Sequence, residues 1–419
     1  MSVSDTKPEA SPANRPRILL VAPNISRKMG GEAAKALRIF EGLLALGIDA
    51  VQVTHARVRN EMQSYNPDLP VHYVEDGPVQ VWLYRLRLNW LLQWVGAWLL
   101  HRKAEKVAAS FHPKVIHFTS PISPTLPYFR FRGVPTVIGP LNGNILHPPA
   151  FAARETLAKR LGSWLLWPVQ KISAPLFTGK RHARLLVSGG DRTVAALELG
   201  GCRREQMVIT LDSGVDAGLE QREPMRHSGV NRRFVFLGRL VRYKACDLVI
   251  EALAHVPEAT LDIIGDGPER SALSRLAETL GVADRVRFVG WVPAGDPLFA
   301  QLSAYRAFLF PSLAEANGIV VQEAMMFGLP VVAVDWGGPA QLLTGDEAIL
   351  ISPTDHESVV NGLADAMRRL GEDGKAADAL ATAARRKAEQ AGFSWPKLLA
   401  DWLAIYDDVS GNASPHFAS

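Results

Sequence analysis

Between Phe308 and Pro339 the chain reads FLFPSLAEANGIVVQEAMMFGLPVVAVDWGGP, a pattern that can fold in very few ways. Phe308-Leu309-Phe310 is a short apolar strand, broken by Pro311 and Ser312. Glu315-Ala316-Asn317-Gly318 is a loop closed by glycine. The pattern predicts a helix over Ile319–Phe327, and Gly328 followed by Pro330 stops it, the usual order at a helix C-terminus. Val331–Val334 is an apolar run of the buried-strand type. Strand, loop, helix and strand make one turn of a parallel α/β sheet, whose ligands bind beyond the carboxyl ends of the strands.

Two carboxylates give this turn its chemistry. Glu315 stands in the loop and Glu323 one turn into the helix. The amides near Asn317, Gly318 and Ile319 form a helix N-terminus, which attracts phosphate. A carboxylate beside a phosphate site makes sense if it binds something else. Vicinal hydroxyls fit, because an ionised carboxylate accepts two hydrogen bonds from a diol. The pattern suggests a sugar and a ribose joined through a diphosphate. Surface glutamates around an ordinary βα loop are the plainer alternative.

Upstream segments bear on that choice. Phe234–Lys244, FVFLGRLVRYK, is a strand followed by a loop with Gly238, Arg239 and Lys244. Arginine holds phosphate oxygens bidentately and lysine acts as a flexible point charge, so two cations on one loop fit a diphosphate. Ile263-Ile-Gly-Asp-Gly-Pro268 is a strand running into a turn, and Arg287-Phe-Val-Gly-Trp-Val-Pro293 is a further strand. In this order, the set resembles family-4 retaining glycosyltransferases of the GT-B fold. Glu315 and Glu323 are similar to their E-x7-E signature, Phe234–Lys244 to their strand-GR-loop-K motif and Ile263–Pro268 to their strand-GDGP motif. The resemblance covers about 235 to 345 closely and the first half more loosely.

The resemblance implies an α/β protein of two Rossmann-like, doubly wound parallel-sheet domains facing a central cleft. It implies a nucleotide-diphosphate sugar as donor, with no resident cofactor and no metal. Arg239, Lys244 and the amides near Gly318 would offset charge on the departing diphosphate. Glu323 would hold the ribose hydroxyls, Glu315 would orient the transferred sugar, and Val292 would lie beside the base. Gly30 and Gly31 would face the donor phosphates from the first domain. The family often carries an essential histidine after an early strand. Here His117 ends the strand Lys114–Phe118, while Thr119 occupies the family's usual place, so either residue could stand in for it. Ser213 in Asp212-Ser-Gly-Val-Asp216 and Ala245 after Lys244 also depart from the family pattern. A nucleotide-sugar epimerase or a non-catalytic nucleotide-sugar-binding protein could use the same fold, but the GR-K and E-x7-E set points away from both.

The rest of the chain sets the surroundings. Its 419 residues, 47% hydrophobic and 21% charged, suffice for two or three globular domains. Two cysteines, Cys202 and Cys246, point to a reducing compartment without a disulfide framework. No cluster of His, Cys or Asp has metal-ligand spacing. Arg17–Ala22, a glycine-paired loop to Gly31, a helix over Glu32–Leu46 and a strand at Ala50–Thr54 form a βαβ unit. Asn142 and Asn144 follow the strand Val134–Ile138 and could read acceptor or donor hydroxyls. The expected organisation is a disordered tail at 1–15, a first domain over 16–215 plus 393–412, and a second over 216–392. Glu357–Ala391 reads as exposed charged helices.

Charge is uneven. From Val81 to Leu186 the chain carries fifteen Lys or Arg and two acids, a surplus of +13, which leaves −9 elsewhere for a net of +4. Six of the ten tryptophans lie there: Trp82, Trp90, Trp94, Trp98, Trp164 and Trp167. Basic residues with interfacial aromatics suit an anionic membrane surface better than nucleic acid. Val81–Leu100 is about the length of a membrane span, but Arg85, Arg87, Asn89 and Gln93 argue for helices lying on the interface. The expectation is a cytoplasmic protein, peripheral on the inner face of the cell membrane, with a lipid-linked or glycan acceptor.

Overall fold

The computed structural model describes residues 16–411 except 30, 87, 125, 144–145, 156–170, 172–176 and 294. The tail at 1–15, Gly30, Asn144, Trp164 and Trp167 lie outside the described residues.

Two parallel sheets organise the chain. The first contains β1 (Arg17–Val21), β2 (Asp49–His55), β3 (Val71–Val74), β4 (Val115–Phe118), β5 (Thr136–Leu141), β6 (Arg184–Val187) and β7 (Met207–Ile209), in the order β3-β2-β1-β4-β5-β6-β7. The second contains β8 (Arg233–Leu237), β9 (Thr260–Ile264), β10 (Val286–Gly290), β11 (Ala307–Phe310), β12 (Val331–Val334) and β13 (Ala348–Ile351), in the order β10-β9-β8-β11-β12-β13. Both orders reverse in the middle, between β1 and β4 and between β8 and β11. Loops leaving neighbouring strands diverge at such a reversal, which opens a crevice at the strand ends. The expected pair of doubly wound domains is what the structure shows.

Both sheets are covered on both faces, which is why their strands are apolar throughout rather than alternating. In β1, Ile18 and Leu20 pack against Ala36, Leu37 and Phe40 of helix Gly31–Ala45. Leu19 and Val21 face Leu100, Ala104 and Val107 of helix Asn89–Phe111. The last helix, Trp395–Val409, returns to the first sheet. Its Trp402 and Tyr406 are fully buried beside Ile18 and Phe40, and Trp402 Nε1 donates to Thr210 Oγ1 at 3.0 Å. The crossing is anchored where Val215 bridges Ser394.

The apolar run Val81–Leu100 falls on two helices, Pro78–Arg85 and Asn89–Phe111, as the reading of helices rather than a span allowed, whereas two other local expectations need correction. No helix among the described residues is long and apolar enough to cross a membrane. The region 357–391 is not simply exposed: helices His356–Glu372 and Gly374–Gln390 bury stripes that include Val359, Leu363, Met367, Ala381 and Ala384. Two short strands, β3 and β13, went unread because four residues give little periodicity; Ala348-Ile-Leu-Ile351 was the available signal.

One segment ties the lobes together. A 3₁₀ turn, Pro149–Arg154, leaves the first lobe and places Phe151 in the core of the second, 3% exposed, among Phe234, Phe236 and Leu248. Arg154 pairs with Asp247 at 2.7 Å, and Trp336 Nε1 donates to the Leu146 carbonyl at 2.7 Å. The Arg192 guanidinium lies 3.9 Å over the Trp336 ring.

Candidate active site

A cleft of about 1040 Å³ separates the lobes. From the second lobe it is lined by Glu315, Asn317, Gly318, Ile319 and Glu323; from the first, by Gly31, Glu32, Lys35, Arg38 and Asn142. Asp212 and Asp216 line it near the crossing between lobes.

Backbone packing builds the second-lobe side. Gly318 adopts φ +74° and starts the helix Ile319–Phe327. Gly337 and Gly338 lie under the Glu315 loop, so closely that a Cβ on Gly338 would meet the Ala316 carbonyl at 2.2 Å. The Gly338 amide donates to the Glu315 carbonyl at 2.8 Å. These glycines ended the opening motif, and their role in holding the loop was not read from sequence. Likewise, Gly265 and Gly267 let the turn after β9 press on the loop after β8: their Cβ atoms would collide with the carbonyls of Gly238 and Leu240.

The loops after β8 and β11, at the reversal of the second sheet, bring one predicted cation, Lys244, to one predicted acid, Glu315; Glu315 and Glu323 line the cleft, and Arg239 and Lys244 are not among its lining residues. The Lys244 ammonium pairs with the Glu315 carboxylate, both largely buried. Lys244 is thus not held in reserve for a ligand, as the sequence reading had it; a ligand must share or displace this pair. Arg239, in the same loop, is exposed, and among the described residues its side chain has no ion-pair or hydrogen-bond partner. Ala245 adopts φ +52°, a left-handed conformation that suits glycine better. The departure from the family pattern leaves the conformation in place.

Glu323 sits on the cleft side of its helix, and burial pushes its carboxyl up to about 7; Arg38 from the first lobe opposes the shift and Asp216 adds to it. Asn317 is buried with its side-chain Nδ2 unpartnered, leaving a donor at the cleft. Val292 is half-buried against the core beneath helix Asp296–Leu302 and does not line the cleft, whereas Gly295, Asp296 and Phe299 do. The base-side loop reaches the cleft three residues later than sequence reading placed it.

On the first-lobe side the polar groups are already satisfied by one another. Lys35, 5% exposed, pairs with Asp212 at 2.6 Å, and Asn142 Nδ2 donates to the same carboxylate at 3.3 Å. Ser120 donates to Glu32. A Cβ on Gly31 would meet nothing within 4 Å, so the cleft is open there. Lys35 and Asp212 were not singled out from sequence; their signal was a lysine on the apolar side of an amphipathic helix.

His117 is not in the cleft. It is 0% exposed, with Nε2 2.9 Å from the Gly139 carbonyl and Nδ1 2.7 Å from the Tyr406 hydroxyl. A carbonyl only accepts, so Nε2–H donates to it and Nδ1 accepts from Tyr406. Burial lowers the ring to about 4. Both nitrogens are used up, Nε2 in joining β4 to β5 and Nδ1 in joining it to the last helix, so a catalytic role for His117 is corrected to a structural one. Thr119 is also fully buried, with Oγ1 unpartnered.

Residues 219–387 match the family described as glycosyl transferases group 1, and the match spans the loops after β8 and β11. A lipopolysaccharide core biosynthesis glycosyltransferase, LpsD of Rhizobium meliloti, is 37% identical over 140 residues, 33% of this chain and 39% of that protein. A sulfoquinovosyl transferase of Arabidopsis thaliana is 27% identical over 313 residues, 68% of this chain and 55% of its own length. The chain therefore spans about half, or less, of these relatives. Among solved structures, Anabaena HepE in complex with UDP-glucose superposes with a TM-score of 0.61 at 20% identity, covering 93% of this chain and 100% of that one. At that identity the likeness establishes the fold, which is GT-B.

Proposed function

We propose that the protein is a retaining glycosyltransferase. It moves a sugar from a nucleotide-diphosphate sugar to a lipid-linked or glycan acceptor in the synthesis of a surface polysaccharide or glycolipid. One observation carries the reading: the loops after β8 and β11 join Lys244 to Glu315 at the sheet reversal, and the same cleft is lined by the Gly318 helix start and Glu323. The match of the second lobe to glycosyl transferases group 1 supports it, as do relatives named for lipopolysaccharide core and sulfoquinovosyl transfer.

The chemistry follows from where charge appears. The bond between the anomeric carbon and the terminal diphosphate oxygen breaks, and negative charge grows on the leaving group. Arg239, Lys244 and the amides at the Gly318 helix start offset it there. The acceptor oxygen bonds the anomeric carbon on the same face, and its proton passes to the departing phosphate oxygen. Glu323 holds the ribose diol and Glu315 the transferred sugar. The exposed aromatics and basic residues of the first lobe set the protein against the inner face of the membrane. The nucleotide sugar is substrate rather than cofactor.

A thermal-shift screen of nucleotide sugars tests this reading. At least one should raise the melting temperature at saturating concentration, because a ligand that binds only the folded state stabilises it. The matching donor should also release nucleoside diphosphate slowly. If no nucleotide sugar shifts the transition and none is hydrolysed or transferred, the reading fails.

A further inference from the structure

A second cavity, of about 330 Å³, lies in the first lobe apart from the cleft. Its floor is the carboxyl ends of β1, β2 and β4, and its roof is helix Asn89–Phe111, with Leu92, Gly96 and Leu100 facing it. The lining is mostly apolar. Yet three buried polar atoms of its lining residues lack a hydrogen-bond partner: Asn24 Oδ1, His55 Nδ1 and His101 Nδ1. His55 is 3% exposed and His101 8%. The Asp76 carboxylate stands 3.9 Å from His55 Nδ1, and the Val74 carbonyl acts on the ring without closing a bond of normal geometry. Leaving a buried polar group unpaired costs about 1–3 kcal/mol. The fold therefore keeps hydrogen-bonding capacity here that it does not use.

Position adds to this. Ser120 and Pro121 line the cavity, while Ile122, next in the chain, lines the interlobe cleft. One strip of chain divides the two spaces. The roof is apolar on its outer side as well: Trp82, Tyr84 and Leu86 of the adjoining helix and turn, and Trp98 of the roof helix itself, are exposed. Burial holds His55 down to about 4, so its ring is neutral at neutral pH; burial lowers His101 too, opposed by the Glu105 carboxylate 3.4 Å from its Nε2. A neutral ring suits a hydroxyl, ether or carbonyl oxygen. On the scale where a 150 Å³ cavity holds benzene, this one holds roughly a dozen non-hydrogen atoms.

We propose that this cavity holds the first part of an alkyl or acyl chain of an amphiphilic acceptor, with His55 and His101 on the neutral oxygen group that joins chain to head. The head then lies across the Ser120–Ile122 strip, in the cleft. The inference rests on the acceptor reading above and adds where the apolar part of the acceptor sits.

Calorimetric titration of the full chain tests it, with octyl β-glucoside below its micelle concentration and methyl β-glucoside as the head alone. The octyl compound should bind saturably at one site and the methyl compound should not. A Cβ on Gly96 would sit 3.6 Å from His55 Nε2, an ordinary contact, so Gly96→Leu fits and fills the space. It should weaken octyl glucoside about tenfold or more, whereas Trp98→Ser, on the outer side, should leave affinity within about twofold. Ala97→Phe serves if Gly96→Leu does not fold. Non-saturable binding, or full affinity in the filled variant, overturns the proposal, as does loss of binding in Trp98→Ser. Binding as expected by a chain that ignores every nucleotide sugar would uphold the cavity and defeat the transferase reading separately.

Discussion

The two walls of the cleft handle charge in opposite ways. On the first-lobe side, Lys35 is committed to Asp212 and Glu32 to Ser120, and behind that wall the buried His117 is committed to Tyr406 and Gly139. On the second-lobe side, Asn317 keeps a spare donor and Glu323 is held in a place that disfavours its charge; Arg239, exposed on the loop after β8 and outside the cleft lining, has no side-chain partner among the described residues. Polar groups that satisfy one another hold a fold; groups left over, or held against their preference, are available to a ligand. The first wall is thus built for stability and the second for binding, and changes to each should read out differently.

The largest expected effect tests the second lobe. Arg239→Ala should lower kcat by about 10²–10³, the scale for removing one group that offsets transition-state charge, with the melting temperature nearly unchanged because the side chain is exposed. Transfer kinetics alongside a melting curve would check both halves; near wild-type turnover breaks the comparison. The opposite pattern is expected of His117→Phe. It strands the Tyr406 hydroxyl and the Gly139 carbonyl, at about 2–4 kcal/mol of stability, while turnover per folded molecule is kept. Denaturant titration with active-site counting measures this.

The pH dependence sharpens the contrast, because the buried histidine behind the first wall and the carboxylate of the second carry opposite signs. His117 has a folded value near 4, below its ordinary 6.5. The unfolded chain binds the extra proton first, so stability present above pH 6.5 is lost as pH falls toward 4. Glu323 has a folded value near 7, above its ordinary 4.5. Stability present below pH 4.5 is therefore lost as pH rises through 7. Glu323→Gln should be more stable than the parent at pH 8, by on the order of 2 kcal/mol, and level with it near pH 4.5, while its donor KM rises. Equal stability differences at both pH values would remove the argument from burial. The smallest effect concerns metal. With cations of the chain itself on the diphosphate, EDTA should change turnover by no more than about twofold.

Legibility also divided between the walls. Most strands and helices of the second lobe around the cleft could be read in sequence, because they are short strand–loop–helix turns in which glycine, proline and charge have fixed places. What was missed there was partnership: sequence cannot show that Lys244 would close on Glu315, or that Gly337 and Gly338 would carry the loop between them. The first lobe could be read as βαβ units and little more. His117 looked available because strand-end histidines often are. Its two partners come from residues 22 and 289 positions away, a distance over which no local pattern reports. The break between helices Pro78–Arg85 and Asn89–Phe111 fell where no proline or glycine marks it.

Phe151 has a mechanical consequence. A ring seated in the neighbouring lobe's interior works as a latch. Packed interiors do not stretch by degrees, so the ring is either home or withdrawn. Parting of the jaws would then be a snap between two settings rather than a smooth swing about the Val215–Ser394 pivot, and the ease of pulling out one phenyl group would govern how often substrates come and go.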